Sequence, residues 1–137
     1  MNVLLDTPVW STLFRRSVPR LSARESAVRS AAIELVEQSR ARIIGPIRQE
    51  LLSGIRDLQQ FERFREHMRG FVDEPIFTED YEVAARHYNS CRTAGIAGST
   101  INLLLCAVAQ RKNWQLFTLD KDFQHYARVI SFRLFTF

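Results

Sequence analysis

Val3-Leu4-Leu5-Asp6-Thr7-Pro8 is the stretch from which the fold follows. An apolar run that ends in a carboxylate predicts a short buried strand over residues 2–6, with Asp6 at its exit. Thr7 and Pro8 then predict a helix start, Thr7 as the cap and Pro8 in the first turn, where a missing N–H is harmless. A carboxylate at a strand exit sits on the rim of a sheet, where open α/β folds place their sites. The pattern returns near the other end of the chain as Leu116-Phe117-Thr118-Leu119-Asp120. Such acids converging on one rim repel each other unless a cation sits between them.

The chain between these two stretches alternates strands and helices. Val28, Ala31, Ala32, Leu35 and Val36 form a helical stripe within residues 22–40. Residues 41–44 read as a strand, and Gly45-Pro46 starts a helix that carries Glu50. Leu58, Phe61, Phe64, Met68 and Phe71 mark a Phe-rich helix over 58–71, and Tyr81, Ala84, Ala85, Tyr88 and Cys91 mark the next helix face. Ser99 caps a helix running to about Lys112, whose body is apolar all round and therefore buried. A strand at 115–118, a short helix at 120–127 and a last strand at 129–135 complete the order. Strands alternating with helices predict an α/β fold: a three-layer α/β/α sandwich around a mostly parallel sheet, formed by a single domain over residues 1–137.

The 137 residues suffice for a buried core without staples, and 46% of them are apolar, including ten Phe, which excludes a disordered chain. Cys91 and Cys106 both fall in helical patterns, so two buried reduced thiols are expected rather than a disulfide. No signal peptide or membrane-spanning run is visible, and a cytoplasmic location is expected. The net charge of +4 suits a polyanionic partner. Only Lys112 and Lys121 are lysines, which leaves 17 arginines among the 19 cations. Guanidinium forks suit phosphate and base stacking, although a genome biased toward arginine codons would give the same count.

Each acidic position also has a local structural explanation. Asp6 can serve as a helix cap, and Glu50 can be a surface glutamate beside buried Ile47, Leu51 and Leu52. Asn102 can reach back to the cap of its helix, and Asp120 and Asp122 can be first-turn acids. The set carries more weight than any member, because all of them can face one rim.

The segments Leu4-Leu5-Asp6-Thr7, Glu50 in the second αβ unit, Gly95 to Ala107 with Asn102 inside it, and Leu116 to Phe123 occur in an order and spacing that resembles the PIN-domain ribonucleases, in particular the VapC-type toxins of bacterial toxin–antitoxin systems. The resemblance spans essentially the whole chain. It implies a PIN-like fold and an endoribonuclease with Mg²⁺ or Mn²⁺ held by Asp6, the residue-102 side chain and Asp120, and by Glu50 through water. Thr7 or Thr100 would orient a water, with Asp122 auxiliary. In-line attack would leave a 5′-phosphate and a 3′-hydroxyl on the RNA. The resemblance further implies a bacterial toxin that inhibits translation, a VapB-like antitoxin and a homodimer. The Phe-rich stretch 61–71, beside Trp10, Leu13 and Phe14, is the candidate antitoxin groove, with ordinary core packing as the other use of these side chains. Arg15, Arg16 and Arg20 are candidate RNA contacts, or a solvated charged loop.

Position 102 departs from the family, which normally has aspartate there. Either the natural protein is weakened there, or aspartate was changed to asparagine to make a toxic enzyme tolerable to its host; with the other acids intact the second reading is preferred, and a weakened or inactive enzyme is expected. Three rivals remain. A catalytically inactive PIN-like RNA- or protein-binding module needs no fourth acid. A phosphotransfer domain would need a paired acid beside the strand-exit Asp and a lysine across the pocket, and Pro8 and the scarcity of lysines oppose it. A histidine-based ribonuclease would have to unite His67, His87 and His125 from different predicted helices.

Overall fold

The computed structural model describes residues 1–14 and 20–137. Four strands form one sheet in the order β2-β1-β3-β4: β1 (Val3–Leu5), β2 (Ala41–Arg42), β3 (Gln115–Phe117) and β4 (Arg133–Leu134). Every pairing is parallel, with Val3 opposite both Ala41 and Gln115, and Leu116 opposite Leu134. All three residues of β1 are buried, as a central strand covered on both faces requires. Seven helices lie among the described residues: α1 (Thr7–Leu13), α2 (Ala23–Glu37), α3 (Gly45–Ser53), α4 (Leu58–Met68), α5 (Thr78–Thr93), α6 (Thr100–Lys112) and α7 (Asp122–Tyr126). The α/β class and the parallel sheet are those predicted.

Several boundaries differ from expectation, each for a local reason. Asp6, not Thr7, caps α1, its Oδ1 accepting the Thr7 N–H at 2.8 Å. The second strand stops at Arg42, and Ile43 makes only an isolated parallel bridge with Asp73. The Phe-rich helix ends at Met68; the Phe71 N–H turns back onto the Met68 carbonyl, past Gly70. The last strand is reduced to Arg133–Leu134, because the N–H groups of Val129 and Ile130 still bond to the Tyr126 carbonyl in the turn leaving α7.

The apolar body of α6, Leu103 to Ala109, is buried throughout. Cys91 and Cys106 are free and buried, as expected. Burial pushes the Cys106 thiol up to about 12, which leaves it unreactive as a nucleophile at neutral pH. No helix among the described residues is long and apolar enough to cross a membrane.

One buried ion pair pins α5 to α6. Asp80, 2% exposed, accepts from Arg111 Nε at 2.8 Å and from the Phe77 N–H at 2.9 Å, while Arg111 also reaches the Pro75 carbonyl at 3.0 Å. Burial alone would raise the Asp80 carboxyl. The hydrogen bonds from Arg111 and the Phe77 N–H, with the Arg111 charge, outweigh it and hold the group below its ordinary value. A carboxyl lowered on folding stabilises the fold above its unfolded value of 3.8, and that contribution is lost as pH falls through the lowered folded value. Asp80→Asn should therefore cost about 2 kcal/mol in urea unfolding at neutral pH, with the gap to the parent narrowing in acid.

Candidate metal centre

The strand order sets the position of the site. From β1 the chain moves to β2 on one side, and from β3 it moves to β4 on the other, so the C-terminal ends of β1 and β3 meet where the winding reverses. Open α/β sheets bind their ligands at that reversal. Asp6 leaves β1 there, and Thr118-Leu119-Asp120 leaves β3. The Asp6 N–H continues the ladder onto the Phe117 carbonyl at 2.9 Å.

A chain of hydrogen bonds joins three of the predicted residues, Asp6, Asp120 and Asn102. Asp6 Oδ2 accepts from Thr118 Oγ1 at 2.8 Å, and that hydroxyl accepts the Asp120 N–H at 3.0 Å. Asp120 Oδ1 accepts the Asp122 N–H at 2.9 Å, and Oδ2 accepts from Asn102 Nδ2 at 3.2 Å. The same Asn102 amide lies 3.5 Å from Tyr126 Oη. Ser99 caps α6, its Oγ accepting the Asn102 N–H at 3.4 Å, which leaves the Asn102 side chain free to face Asp120. Glu50 sits exposed on α3, a turn beyond buried Ile47 and next to buried Leu51, and its charge acts on Asp6.

Asp6 is 6% exposed. Burial raises its carboxyl above the ordinary value; hydrogen bonds from Thr118 and the Thr7 N–H oppose this, and the charges of Glu50 and Asp120 add to it. Among the described residues, no three His, Cys, Asp or Glu side chains are grouped tightly enough to hold a metal ion. The donors present are nonetheless all oxygen: carboxylates of Asp6, Asp120 and Glu50, and the Asn102 amide. Such a set suits a hard cation. The buried Thr7 Oγ1, next in sequence to Asp6, has no hydrogen-bond partner and is a spare donor oxygen. Asn102 is the misfit, because it turns a proton donor, not an oxygen, toward Asp120.

Residues 3–129 match the family described as PIN domain. The chain belongs to the PIN-domain family. FitAcB from Neisseria gonorrhoeae has the same fold, at 16% identity and a TM-score of 0.71 over 98% of this chain and 96% of that one. VapBC2 from Rickettsia felis, bound to a DNA fragment from its promoter, is similar at 15% identity and a TM-score of 0.72, over 98% and 97% of the two chains. FitAB bound to an IR36 DNA fragment is similar at 15% identity and a TM-score of 0.70, over 97% and 93%. No curated protein matches the sequence significantly.

In this PIN domain, Thr118 and Tyr126 join the hydrogen-bonded candidate site, and the sequence did not single them out. Thr118 had a signal, since it precedes Asp120 by two positions and repeats the pairing of acid and hydroxyl at Asp6-Thr7. Tyr126 had none. Thr100 lines a separate groove with Pro46, Tyr81 and Tyr88, and Asp122 contributes its backbone N–H. Arg20 is exposed, while Arg15 and Arg16 lie outside the described residues. Of the expected groove, Trp10 and Met68 belong to the core, and Phe14 and Phe64 lie half-buried at its edge, 5.4 Å apart. His67, His87 and His125 stand on α4, α5 and α7, and His87 Nε2 is engaged with Gln110 Oε1 at 2.7 Å.

Proposed function

We propose that this PIN domain is a VapC-type endoribonuclease toxin, weakened by Asn102, that cleaves RNA with Mg²⁺ or Mn²⁺ and is neutralised by a VapB-like antitoxin. The observation that carries the reading is the hydrogen-bonded chain from Asp6 through Thr118 and Asp120 to Asn102, at the reversal point of the sheet. Asp6, Asp120 and residue 102 would hold the cation, with Glu50 acting through water. When bound, it would supply a Lewis acid that activates water and offsets charge developing at phosphorus. Thr118 orients both strand-exit acids at once. Thr7 offers a further hydroxyl beside Asp6. No general-base histidine and no RNA 2′-OH is required, so the products are a 5′-phosphate and a 3′-hydroxyl.

A hollow of about 420 Å³ between α1, α2 and α4, lined by Leu13, Phe14, Arg29, Ile55, Arg63 and Phe64, is the proposed antitoxin groove. The likeness to VapBC2 and FitAB complexes supports such a partner. A homodimer in the bacterial cytoplasm belongs to the same proposal. The second reading, an inactive PIN-like RNA- or protein-binding module, is favoured by the proton that Asn102 directs at Asp120.

Incubation of the Asn102→Asp variant with total bacterial RNA and Mg²⁺, followed by mapping of the ends, separates these readings. Discrete, EDTA-sensitive cuts bearing 5′-phosphates are expected. Intact RNA in both Mg²⁺ and Mn²⁺ would favour the binding module, and EDTA-resistant cleavage would favour histidine chemistry.

A further inference from the structure

A second hollow, of about 300 Å³, opens beside the acidic centre and shares Thr118 and Asp120 with it. Its other walls carry Arg24 from the start of α2, Lys121 and Gln124 around α7, and Phe137. Arg24 and Lys121 are exposed, and neither makes an ion pair among the described residues. Two free cations therefore stand next to an acidic rim. That arrangement suits a polyanion that must approach carboxylates, because local positive charge offsets the repulsion. Phe137 is 55% exposed, and its ring packs against Phe117 at 5.2 Å, so one side of it is supported and the rest is open. A supported, open aromatic face is a stacking platform for a nucleobase. Gln124 adds a side-chain amide that can donate to or accept from a base edge.

We propose that this hollow seats a nucleotide of the RNA strand next to the cleaved phosphodiester, its phosphate on Arg24 and Lys121 and its base on Phe137. The inference rests on the ribonuclease reading and adds a strand-positioning subsite to it. The hollow lies at the C-terminal ends of β3 and β4, on the same sheet edge as the acids, so one strand can span both.

Because Asn102 slows cleavage, RNA binding can be read on the chain as it stands, by fluorescence anisotropy of a short labelled single-stranded RNA across a salt series. Arg24→Gln and Lys121→Gln should each lower the slope of log affinity against log salt by roughly 0.7, the value for one lost phosphate contact on a single strand. Phe137→Ala should weaken binding about tenfold without changing the slope. Phe137→Leu keeps apolar contact with Phe117 but lacks the ring face, and should show a similar loss. Arg86→Gln, on α5 and outside the hollow, is the control and should bind as the parent. If the parent binds RNA and these variants bind equally well with the same slope, the subsite is refuted and the ribonuclease reading survives. A parent that binds no RNA at any salt refutes both.

Discussion

Asn102→Asp should raise the rate of Mg²⁺-dependent RNA cleavage by about two decades or more. In the proposed centre, the amide at position 102 could offer only an uncharged oxygen where the other donors are carboxylates. One missing negative charge near a divalent cation in a partly dry pocket is worth on the order of a few kcal/mol, and each 1.4 kcal/mol is about a tenfold change. The Asn102 amide nitrogen also donates to Asp120 Oδ2 at 3.2 Å, so the group that should share a cation with Asp120 occupies it with a proton instead. Single-turnover cleavage of one RNA by the two proteins at equal Mg²⁺ measures the ratio. Equal rates would mean that position 102 does not participate in the chemistry.

The second large effect is on stability, and its sign depends on metal. Without metal, Asn102→Asp replaces a donor to Asp120 with a like charge. Losing a hydrogen bond to a charged group and gaining a repulsion should destabilise the fold by about 2 kcal/mol at neutral pH. Mn²⁺ should reverse this for the variant by about 2.7 kcal/mol at a hundredfold excess over its dissociation constant, and shift the parent much less. Thermal unfolding of both proteins, with Mn²⁺ and with EDTA, provides the check. Asp6 adds a pH signature. A carboxyl raised on folding is favourable below its unfolded value of 3.8, and that contribution is lost as pH rises through the raised folded value. Metal binding in the proposed centre would favour the ionised Asp6, so it should weaken as pH falls through the same raised value.

The parts of the fold that were legible were those where composition leaves little choice. Val3-Leu4-Leu5, an apolar run closed by Asp6-Thr7-Pro8, reads as a short buried strand, and Ser99 ahead of an apolar helix body marks its own start. The ends of elements were less legible because tertiary hydrogen bonds decide them. Residues 129–132 carry strand-forming side chains, yet the Tyr126 carbonyl captures the N–H groups of Val129 and Ile130 before the sheet can. The acids were visible one at a time, and their meeting follows from strand order, which local pattern does not encode. Thr118 escaped because a hydroxyl has no charge to draw attention, although it bonds both strand-exit acids. Tyr126 escaped because a tyrosine on a short helix reads as core, and 0% exposure shows that it is core as well.

The most direct test of the account is a Mn²⁺ titration of three proteins, followed by the loss of the free-ion paramagnetic resonance signal: the parent, Asn102→Asp, and Asn102→Asp with Asp6→Asn. The account predicts saturable uptake by Asn102→Asp, binding weakened by about two decades in the parent, and a comparable loss when Asp6 is neutralised. Equal uptake by all three, or none by Asn102→Asp, would contradict a metal centre built on Asp6, position 102 and Asp120.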